Sequence, residues 1–488
     1  MKEDFKFFLE KTQEIGRITS ISYSVILASG LPGLKLNEMV ICEEGQKGVV
    51  FGLDKERAEI LMLETKNLQI NKGIVRTNQP LQIEISEKML GRIVDPLCRP
   101  IDGKGPIEGE KFSQPLEKPA PPLIERERVK KHLETGVFKV DLFVPLGCGQ
   151  RELIIGNKKT GKTTFLLQTI TSQARRGIIC IYTAVGKRVL DLKLIERYLK
   201  EQKILEKVII VAGLASQPSP QIFFAPYVGM SIAEFFRERG KDVLIIFDDL
   251  TSHAKVYREI SLLLERFPGR SSYPGDIFHI HAKLLERAGN VKHKNKEVSI
   301  TALPVADTIE NELGGYIQTN LMAITDGHIF FDLEEFQKGM RPAINVFLSV
   351  SRVGNQTKTF LERELAGILR QKMIEYKRAL EIAPFGVELP KLTQEILDFG
   401  KKLELLLAQE AKIILKKELQ LFLLGLMLCD FWKERSLEEM KKDLGKIKKR
   451  FEEKELLTQE DLKKIKNLEE LKNFIKERAL PELQICLH

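Results

Sequence analysis

Hydrophobic residues change their spacing twice along the chain, and the changes divide it into three predicted regions. From about Gly16 to Ser86, short apolar runs alternate with turn residues, which is typical of short strands. From Gly91 to about Gly367, buried-type apolar runs alternate with amphipathic helical segments, as in parallel α/β units. Beyond Arg370, leucine and isoleucine recur every three or four residues with lysine and glutamate between them, which predicts helices.

These three regions predict a multidomain α/β protein. We expect a small β domain over residues 1–86, a central α/β domain over 87–370 and a terminal helical bundle over 371–488. The length agrees, because 488 residues exceed the size at which one hydrophobic core stops growing.

Composition and charge exclude several other classes of protein. Hydrophobic residues make up 43% of the chain, which is enough apolar surface for a globular fold and argues against disorder. The net charge is +9, but acidic residues are interspersed among the basic ones, which favours a solvated surface over a nucleic-acid patch. The longest apolar run, Leu421–Cys429, is too short for the ~18 to 20 residues of a membrane span, and the first residues lack a secretory signal. We therefore expect membrane association only through partners.

Cysteine and histidine spacing predicts neither a disulfide framework nor a zinc site. His279 and His281 flank one residue on a predicted strand or turn, and no further ligands are near them in the sequence, so we expect both to be structural. The spacing of the cysteines fits a reducing cytoplasm. The six are Cys42, Cys98, Cys148, Cys180, Cys429 and Cys486.

A phosphate-binding motif, G-x-x-x-x-G-K-[ST], lies between a buried-type strand, Leu153–Ile155, and an apolar helical run, Phe165–Leu167. Its backbone N–H groups are expected to surround the phosphates of a nucleotide. Lys162 is expected to reach the β and γ phosphates, and the Thr163 hydroxyl to bind Mg²⁺. The motif comprises Gly156, Asn157, Lys158, Lys159, Thr160, Gly161, Lys162 and Thr163.

A second acidic element follows another buried-type strand, Val243–Phe247. Asp248 and Asp249 come directly after it, and an acidic pair at such a position is commonly a turn or a helix cap. Beside a phosphate loop, however, a carboxylate at the end of a strand is the expected partner of Mg²⁺. We therefore predict Asp248 and Thr163 as the metal ligands.

Longer blocks of the chain resemble the alpha subunits of F-type ATP synthases, over about residues 16–412. Arg352-Val353-Gly354 continues the last of these blocks in the alpha manner. The blocks are Val144–Gly156, Asp248–Leu250, Tyr257–Leu264, Tyr273–Asp276, Leu284–Ala288, Thr301–Pro304, Ile324–Gly327 and Pro342–Ser351.

The resemblance implies an N-terminal β-barrel, a central RecA-like P-loop domain and a C-terminal helical bundle. It also implies a ring of three alpha and three beta subunits around a rotating gamma stalk, with a peripheral-stalk subunit as a further partner. Such a complex couples ATP synthesis or hydrolysis to ion translocation at the cytoplasmic face of a bacterial membrane. Contact with the membrane is then made only through the ion-translocating sector, and no nucleic acid is involved.

The resemblance further implies that alpha binds Mg²⁺ with ATP or ADP at a non-catalytic site. In addition to the phosphate loop and Asp248, Phe336 and Arg341 match positions near the base, and Gln409 matches an adenine contact. Ala411 stands where the family has a second adenine glutamine.

Arg352 matches the arginine finger that alpha extends to the catalytic site of the adjacent beta subunit, with Ser349 nearby in the same block. A planar, permanently charged guanidinium suits the charge spread over a transferring phosphoryl group. Without the resemblance, we would interpret Arg352 as a residue that forms an ion pair at the surface.

Lys187 predicts that the chain by itself is essentially non-catalytic. Catalytic beta subunits carry a carboxylate that activates water after the corresponding strand, and here the run is Ala184-Val185-Gly186-Lys187-Arg188. A charged lysine cannot accept a proton. The resemblance places glutamine at this position in alpha subunits, so Lys187 departs from the family.

Three alternatives remain open at this stage. One is a purely structural, nucleotide-dependent ring component, in which Arg352 has no effect on turnover by the neighbouring subunit. A catalytic hexameric ATPase of a flagellar or secretion export system would need a glutamate near Lys187. An RNA translocase of the Rho kind would use a basic surface with exposed aromatics, and Tyr23 and Phe51 are the only aromatics between Gly16 and Ser86.

Several blocks look closer to the alternate, sodium-linked branch of the family. They are Gly30–Gly33, Ser231–Glu234 and Asp249–Ala254. The coupling ion itself passes through other subunits, so this chain does not identify it.

Overall fold

The computed structural model describes residues 2–382, 390–454 and 456–481. The chain forms two compact units. The predicted domain boundaries after residues 86 and 370 stay a prediction. The first unit comprises Met1–Arg128, Cys148–Lys158 and Gln173–His328, and the second Val129–Gly147, Lys159–Ser172 and Ile329–His488.

Six antiparallel strands of the first unit close into a barrel, which confirms the predicted N-terminal β-barrel. They are β1 (Gly16–Ser22), β2 (Val25–Ser29), β3 (Glu38–Cys42), β4 (Lys47–Leu53), β5 (Ala58–Met62) and β6 (Gly73–Pro80). Their order is β1-β2-β5-β4-β3-β6, and β1 pairs with β6 to complete the ring. Fully buried side chains such as Ile18, Val50 and Ile60 fill the interior. Helix α1 (Lys2–Thr12) packs Phe5 against Ile41 of the barrel wall.

Short elements follow the barrel. Strands β7 and β9 pair antiparallel, and so do β10 and β11. Their bounds are β7 Gln82–Ile85, β8 Ile93–Val94, β9 Phe112–Pro115, β10 His132–Leu133, α2 Phe138–Phe143 and β11 Leu146–Gly147.

A parallel sheet forms the centre of the first unit, as the alternation of apolar runs and helices predicts. Its longer strands are β12 (Leu153–Asn157), β13 (Ile179–Lys187), β14 (Val208–Leu214), β15 (Val243–Asp248) and β17 (Lys296–Thr308). The order is β12-β17-β15-β13-β14-β8, with every neighbouring pair parallel, and β16 (Gly289–His293) joins β17 antiparallel. The intervening helices are α3 (Lys162–Arg175), α4 (Val189–Glu201), α5 (Ser219–Arg237), α6 (Leu250–Leu263), α7 (Ile277–Leu285) and α8 (Tyr316–Ile324).

Helices dominate the last part of the chain, as predicted. Short strands β18 (Gly327–Phe331) and β19 (Val350–Ser351) and helix α9 (Leu333–Gln337) precede them. The helices are α10 Phe360–Ile382, α11 Lys391–Leu407, α12 Lys417–Leu428, α13 Leu437–Glu453, α14 Gln459–Lys464 and α15 Leu468–Phe474. Within the described residues, none of the helices has the length and apolar character that crossing a membrane requires.

A buried ion pair joins two of the sequence blocks inside the first unit. Arg287, two residues after the end of α7, is 1% exposed and makes two hydrogen bonds to the Glu234 carboxylate on α5, at 3.0 and 2.7 Å. Its remaining donors reach the Ser231 hydroxyl and the Leu116 carbonyl, at 3.0 and 3.1 Å. Since a buried charge is stable only when it is paired and hydrogen-bonded, these blocks are required for packing.

The prediction that His279 and His281 lie on a strand or turn is wrong, because both are on helix α7. Over such a short segment, histidines that alternate with apolar residues fit the periodicity of a strand as well as that of a helix. Burial of one face of the segment favours the helix. His281 Nε2 lies 3.2 Å from Nδ1 of His253, whose Nε2 lies 3.0 Å from the Phe223 carbonyl oxygen. A carbonyl only accepts, so His253 donates from Nε2 and accepts from His281. Burial lowers the pKa of His253 to about 4.

We expect Arg287→Ala to lower the free energy of unfolding by about 3 kcal/mol, because it leaves the buried Glu234 carboxylate with only the more distant Arg237 guanidinium, 3.9 Å away. The urea midpoint followed by circular dichroism measures the loss. Arg188→Ala, which removes an exposed pair with Asp191, is the matched control and should leave the midpoint unchanged. Equal midpoints for the two variants would contradict the role of Arg287.

Acid should destabilise the first unit through the histidine pair. The unfolded chain binds a proton on His253 below pH ~6.5, whereas the folded chain resists it down to about 4, so stability falls as the pH drops through this window. His253→Gln keeps a donor for the Phe223 carbonyl but does not titrate. From about pH 7.5 to about pH 5, we expect wild type to lose about 2 kcal/mol more than this variant. Urea midpoints at the two pH values test this, and parallel losses would refute it.

Candidate nucleotide-binding site

The predicted phosphate loop joins the end of strand β12 to the start of helix α3. The strand ends at Asn157 and the helix begins at Lys162, which is the predicted order of elements. Gly161 has φ +106°, in the left-handed region that disfavours side chains. A Cβ added there would meet only a Phe331 ring carbon, at 3.9 Å, so there is space for a side chain. It is therefore the backbone conformation that requires glycine at this position. The first turn of a helix leaves N–H groups without an intrahelical acceptor, which suits a phosphate.

The side chains of the motif differ sharply in exposure. Thr160 and Lys162 are buried, at 1% and 7% exposure, whereas Lys158, Lys159 and Thr163 are exposed. Lysine is seldom buried unless an acceptor or anion meets it, so the burial of Lys162 fits its predicted contact with phosphate. Gly156, Asn157 and Lys158 belong to the first unit, and Lys159 to Thr163 belong to the second.

Two side chains of the motif contact the end of strand β17 and the segment that follows it. The Asn157 amide oxygen accepts hydrogen bonds from the Thr308 hydroxyl and the Asn311 N–H, at 2.5 and 2.9 Å. Lys158 Nζ lies 3.9 Å from Oδ2 of Asp307. These contacts hold the start of the loop through its side chains.

The predicted metal ligand Asp248 is ion-paired with the lysine that departs from the family pattern. Lys187 Nζ lies 2.8 Å from Asp248 Oδ1 and 3.7 Å from Asp249 Oδ2. The Tyr182 hydroxyl donates a hydrogen bond to Asp248 Oδ2. Both oxygens of this carboxylate are therefore engaged within the first unit.

Electrostatic interactions with Asp248 and Asp249 keep Lys187 charged. Burial lowers the pKa of Lys187, but the carboxylates of Asp248 and Asp249 outweigh it and raise the pKa overall, so the ammonium stays protonated. Burial raises the pKa of Asp249 to about 6, and burial also raises that of Tyr182 well above its ordinary value. Asp249 has a separate structural task, since it caps helix α6 by accepting from the Ser252 N–H and hydroxyl.

Thr163 and Asp248 belong to different units, so their pairing as ligands of one metal stays a prediction. In the described part of the chain, no group of three or more histidine, cysteine, aspartate and glutamate side chains could hold a metal ion.

Arg352 lies on an exposed turn that two serines fix. The buried Ser349 hydroxyl donates to the Asn345 carbonyl at 2.6 Å and accepts from the Phe330 N–H at 2.9 Å. Ser351 Oγ donates to the Pro145 carbonyl at 2.7 Å and accepts from the N–H of Gly354 at 3.1 Å. Ser349 thus holds the segment in place, and the catalytic role predicted for it stays a prediction.

The structure brings together the three residues predicted near the nucleotide base. The Arg341 guanidinium stacks 3.6 Å above the ring of Phe336 and donates to its carbonyl at 2.8 Å. The Gln409 N–H donates to the Arg341 carbonyl at 2.9 Å. Arg341 is exposed and Phe336 half-buried, so an aromatic face and a cation are close together in the second unit.

The side chain of Gln409 is committed to the backbone around it. Its amide NH₂ donates to the carbonyls of Gly136 and Ile413, both at 2.7 Å, and its oxygen accepts from the Phe138 N–H at 3.0 Å. Both donor hydrogens are used, so only an oxygen lone pair is left for a base. The adenine contact predicted for Gln409 stays a prediction.

Sequence reasoning missed two residues with clear roles. Tyr182 engages Asp248, but nothing in the sequence reveals the strand register that sets Ala184 opposite Asp248 and so puts Tyr182 on the same face. Gln168 on α3 is buried and donates to the carbonyls of Glu410 and Ile413, at 3.1 and 3.0 Å. The only sign of this role of Gln168 in the sequence is that it is a polar residue within an apolar helical run.

Comparison with known proteins gives consistent matches. The model of the ATP synthase alpha/beta family, nucleotide-binding domain, matches residues 136–351. A protein named ATP synthase subunit alpha from Neorickettsia sennetsu is 39% identical over 435 residues, which is 87% of this chain and 85% of the relative. Proteins of the same name are 40% identical in Caldanaerobacter subterraneus subsp. tengcongensis, over 82% of this chain and 79% of the relative, and 41% identical in Aquifex aeolicus, over 82% and 80%.

We expect Gln409→Ala to destabilise the second unit by about 1 to 3 kcal/mol, because the Phe138 N–H loses its acceptor and the carbonyls of Gly136 and Ile413 each lose one of their donors. The apparent melting temperature followed by circular dichroism measures the effect without any nucleotide. Gln371→Ala, which removes an exposed contact with Glu375, is the control and should melt like wild type. If Gln409→Ala weakened nucleotide binding but left the melting temperature unchanged, the structural role would be wrong.

Proposed function

Because this chain belongs to the ATP synthase alpha/beta family, as an alpha subunit of an F-type ATP synthase, we propose that it performs two tasks in that complex. In the first, it holds ATP or ADP at a non-catalytic site. In the second, it extends Arg352 into the catalytic site of the adjacent beta subunit.

The phosphate loop supports the first task. A strand, a loop with glycine in the left-handed conformation and a 14-residue helix follow in the order that phosphate binding needs. In this proposal the backbone N–H groups and Lys162 would contact the phosphates, and the Thr163 hydroxyl would help to hold Mg²⁺. Phe336 and Arg341 offer an aromatic ring and a cation to the base. The metal adds charge neutralisation to the phosphates when it is bound.

Lys187 supports the non-catalytic character of this site. Hydrolysis needs a carboxylate that accepts a proton from the attacking water. At the end of β13 the chain has a protonated ammonium instead, and that ammonium is paired with Asp248 at 2.8 Å. Asp249 is occupied as the cap of α6. The export ATPase and RNA translocase hypotheses both require turnover on this chain, and this cluster does not favour either.

The exposed turn at Arg352 is the observation that carries the second task. Phe347, Leu348 and Val350 flank it with 37%, 48% and 43% exposure, although their side chains are apolar. A cluster of exposed apolar residues beside an exposed arginine is typical of a protein interface. A guanidinium on such a surface can enter a neighbouring active site and stabilise charge on the transferring phosphoryl group.

The remaining partners follow from the same proposal. Three copies alternate with three beta subunits around a gamma stalk, and a peripheral-stalk subunit binds the ring. The complex lies at the cytoplasmic face of the membrane and reaches it through the ion-translocating sector. Assignment to the sodium-linked branch stays a prediction.

We expect Arg352→Ala to reduce the ATPase rate of the complex by roughly 10³- to 10⁵-fold, because the neighbouring site loses its charge stabilisation. The measurement is steady-state ATP hydrolysis by the chain co-expressed with its beta and gamma partners. Arg363→Ala, at an exposed position of α10, is the matched control and should keep the wild-type rate.

Two results would count against the proposal. A rate for Arg352→Ala close to that of Arg363→Ala, in complexes of equal subunit composition, would remove the arginine-finger role. Hydrolysis by the purified full chain alone, at an ordinary turnover of about 1 to 10³ s⁻¹, would overturn the non-catalytic assignment.

A further inference from the structure

Helix α3 holds the loop between helices α11 and α12 through one side chain, Gln168. This glutamine is 3% exposed, and its amide NH₂ donates to the carbonyls of Glu410 and Ile413, at 3.1 and 3.0 Å. The loop, residues 408–416, contains neither a helix nor a strand, so its carbonyls need partners from outside a regular element. Gln168 and the whole loop belong to the second unit.

The carbonyl of Ile413 is shared by two glutamines. It accepts from Nε2 of Gln168 at 3.0 Å and from Nε2 of Gln409 at 2.7 Å. A carbonyl oxygen has two lone pairs, so these two bonds use both. Gln168 therefore fixes the atom to which the side chain of Gln409 donates.

The surroundings of Gln409 allow its amide only one orientation. Nε2 faces the carbonyls of Gly136 and Ile413, whereas Oε1 faces the N–H of Phe138. Rotating the amide by 180° would set its oxygen against two carbonyl oxygens and its NH₂ against an N–H, and three hydrogen bonds would be lost. In the observed orientation, the amide can accept one further hydrogen bond but cannot donate one.

An acceptor beside the proposed base site favours some bases over others. Phe336 and Arg341 are the residues that we propose to meet the base, and the Gln409 N–H donates to the Arg341 carbonyl at 2.9 Å. An oxygen that can only accept attracts the exocyclic amino group of adenine and repels the carbonyl oxygen that hypoxanthine has at the same position. Discrimination between these two bases therefore depends on the orientation of the amide.

We propose that Gln168 is a positioning residue for base recognition. By fixing the Ile413 carbonyl, it keeps the Gln409 amide as an acceptor only, so that the subunit selects nucleotides whose base carries an amino group at this position. The inference rests on the proposed nucleotide site and goes beyond it, because it names a residue that sets the base selectivity of that site through another side chain.

The test is the ratio of the dissociation constants of ITP and ATP for the purified full chain, measured by isothermal titration calorimetry in excess MgCl₂. We expect wild type to bind ATP about tenfold or more tightly than ITP. Gln168→Met keeps a side chain of similar size but has no N–H donor, so the ratio should fall below about threefold. The ratio is informative because general damage to the site or to the fold weakens both nucleotides alike.

Two further variants make the comparison specific. Thr169→Val is the matched control, since it removes a buried hydrogen bond within α3, from the Thr169 hydroxyl to the Phe165 carbonyl, and should keep the wild-type ratio. Gln168→Asn keeps an amide that is one methylene too short to reach both carbonyls, and it should lower the ratio as Gln168→Met does. It provides the test if Gln168→Met fails to fold by circular dichroism.

The possible failures are distinguishable. A wild-type ratio near one would overturn the selectivity of Gln409 and leave the nucleotide site in place. A folded Gln168→Met or Gln168→Asn variant with the wild-type ratio would overturn the role of Gln168, and so would a Thr169→Val variant with an equally reduced ratio. Absence of binding of both nucleotides by wild type would instead remove the nucleotide site itself, and the inference with it.

Discussion

The parallel alignment of four strands is the constraint on which the site in the first unit depends. Strands β12, β17, β15 and β13 are neighbours in one sheet and run in the same direction, so their carboxyl ends reach the same edge. Asn157, Thr308, Asp248 and Lys187 end these four strands. Their contacts with one another follow from this shared edge, although they are far apart in the sequence.

Charge placement at that edge supports the proposal that this chain binds a nucleotide without turnover. A nucleotide site needs positive charge and N–H donors for phosphate, whereas hydrolysis also needs a carboxylate free to accept a proton. In this chain each acidic side chain of the Asp248-Asp249 pair has another task, one as the partner of Lys187 and one as a helix cap. This arrangement supports the proposal that the chain holds a nucleotide without hydrolysing it.

Sequence patterns predicted the elements better than the contacts between them. The barrel, the parallel sheet and the terminal helices follow from apolar periodicity, because burial dictates where apolar side chains recur. The Lys187–Asp248 pair and the amide network of Gln409 depend on strand register and loop packing, which no local pattern contains. The helix at His279 was not predicted because a short alternation of apolar and polar residues fits either a strand or a helix. Tertiary packing determines which of the two forms.

The tethered turn at Arg352 has a mechanical consequence. Ser351 and Gly354 fix the backbone on either side of the arginine, and a Cβ at Gly354 would lie 1.6 Å from the Pro145 carbonyl oxygen, so the turn fits closely against that carbonyl. A backbone held in this way pays little entropy when its side chain docks. It also cannot fold in and out like a lid. If Arg352 has the role proposed for it, its backbone would approach or leave a neighbouring site only together with the segment that carries this turn.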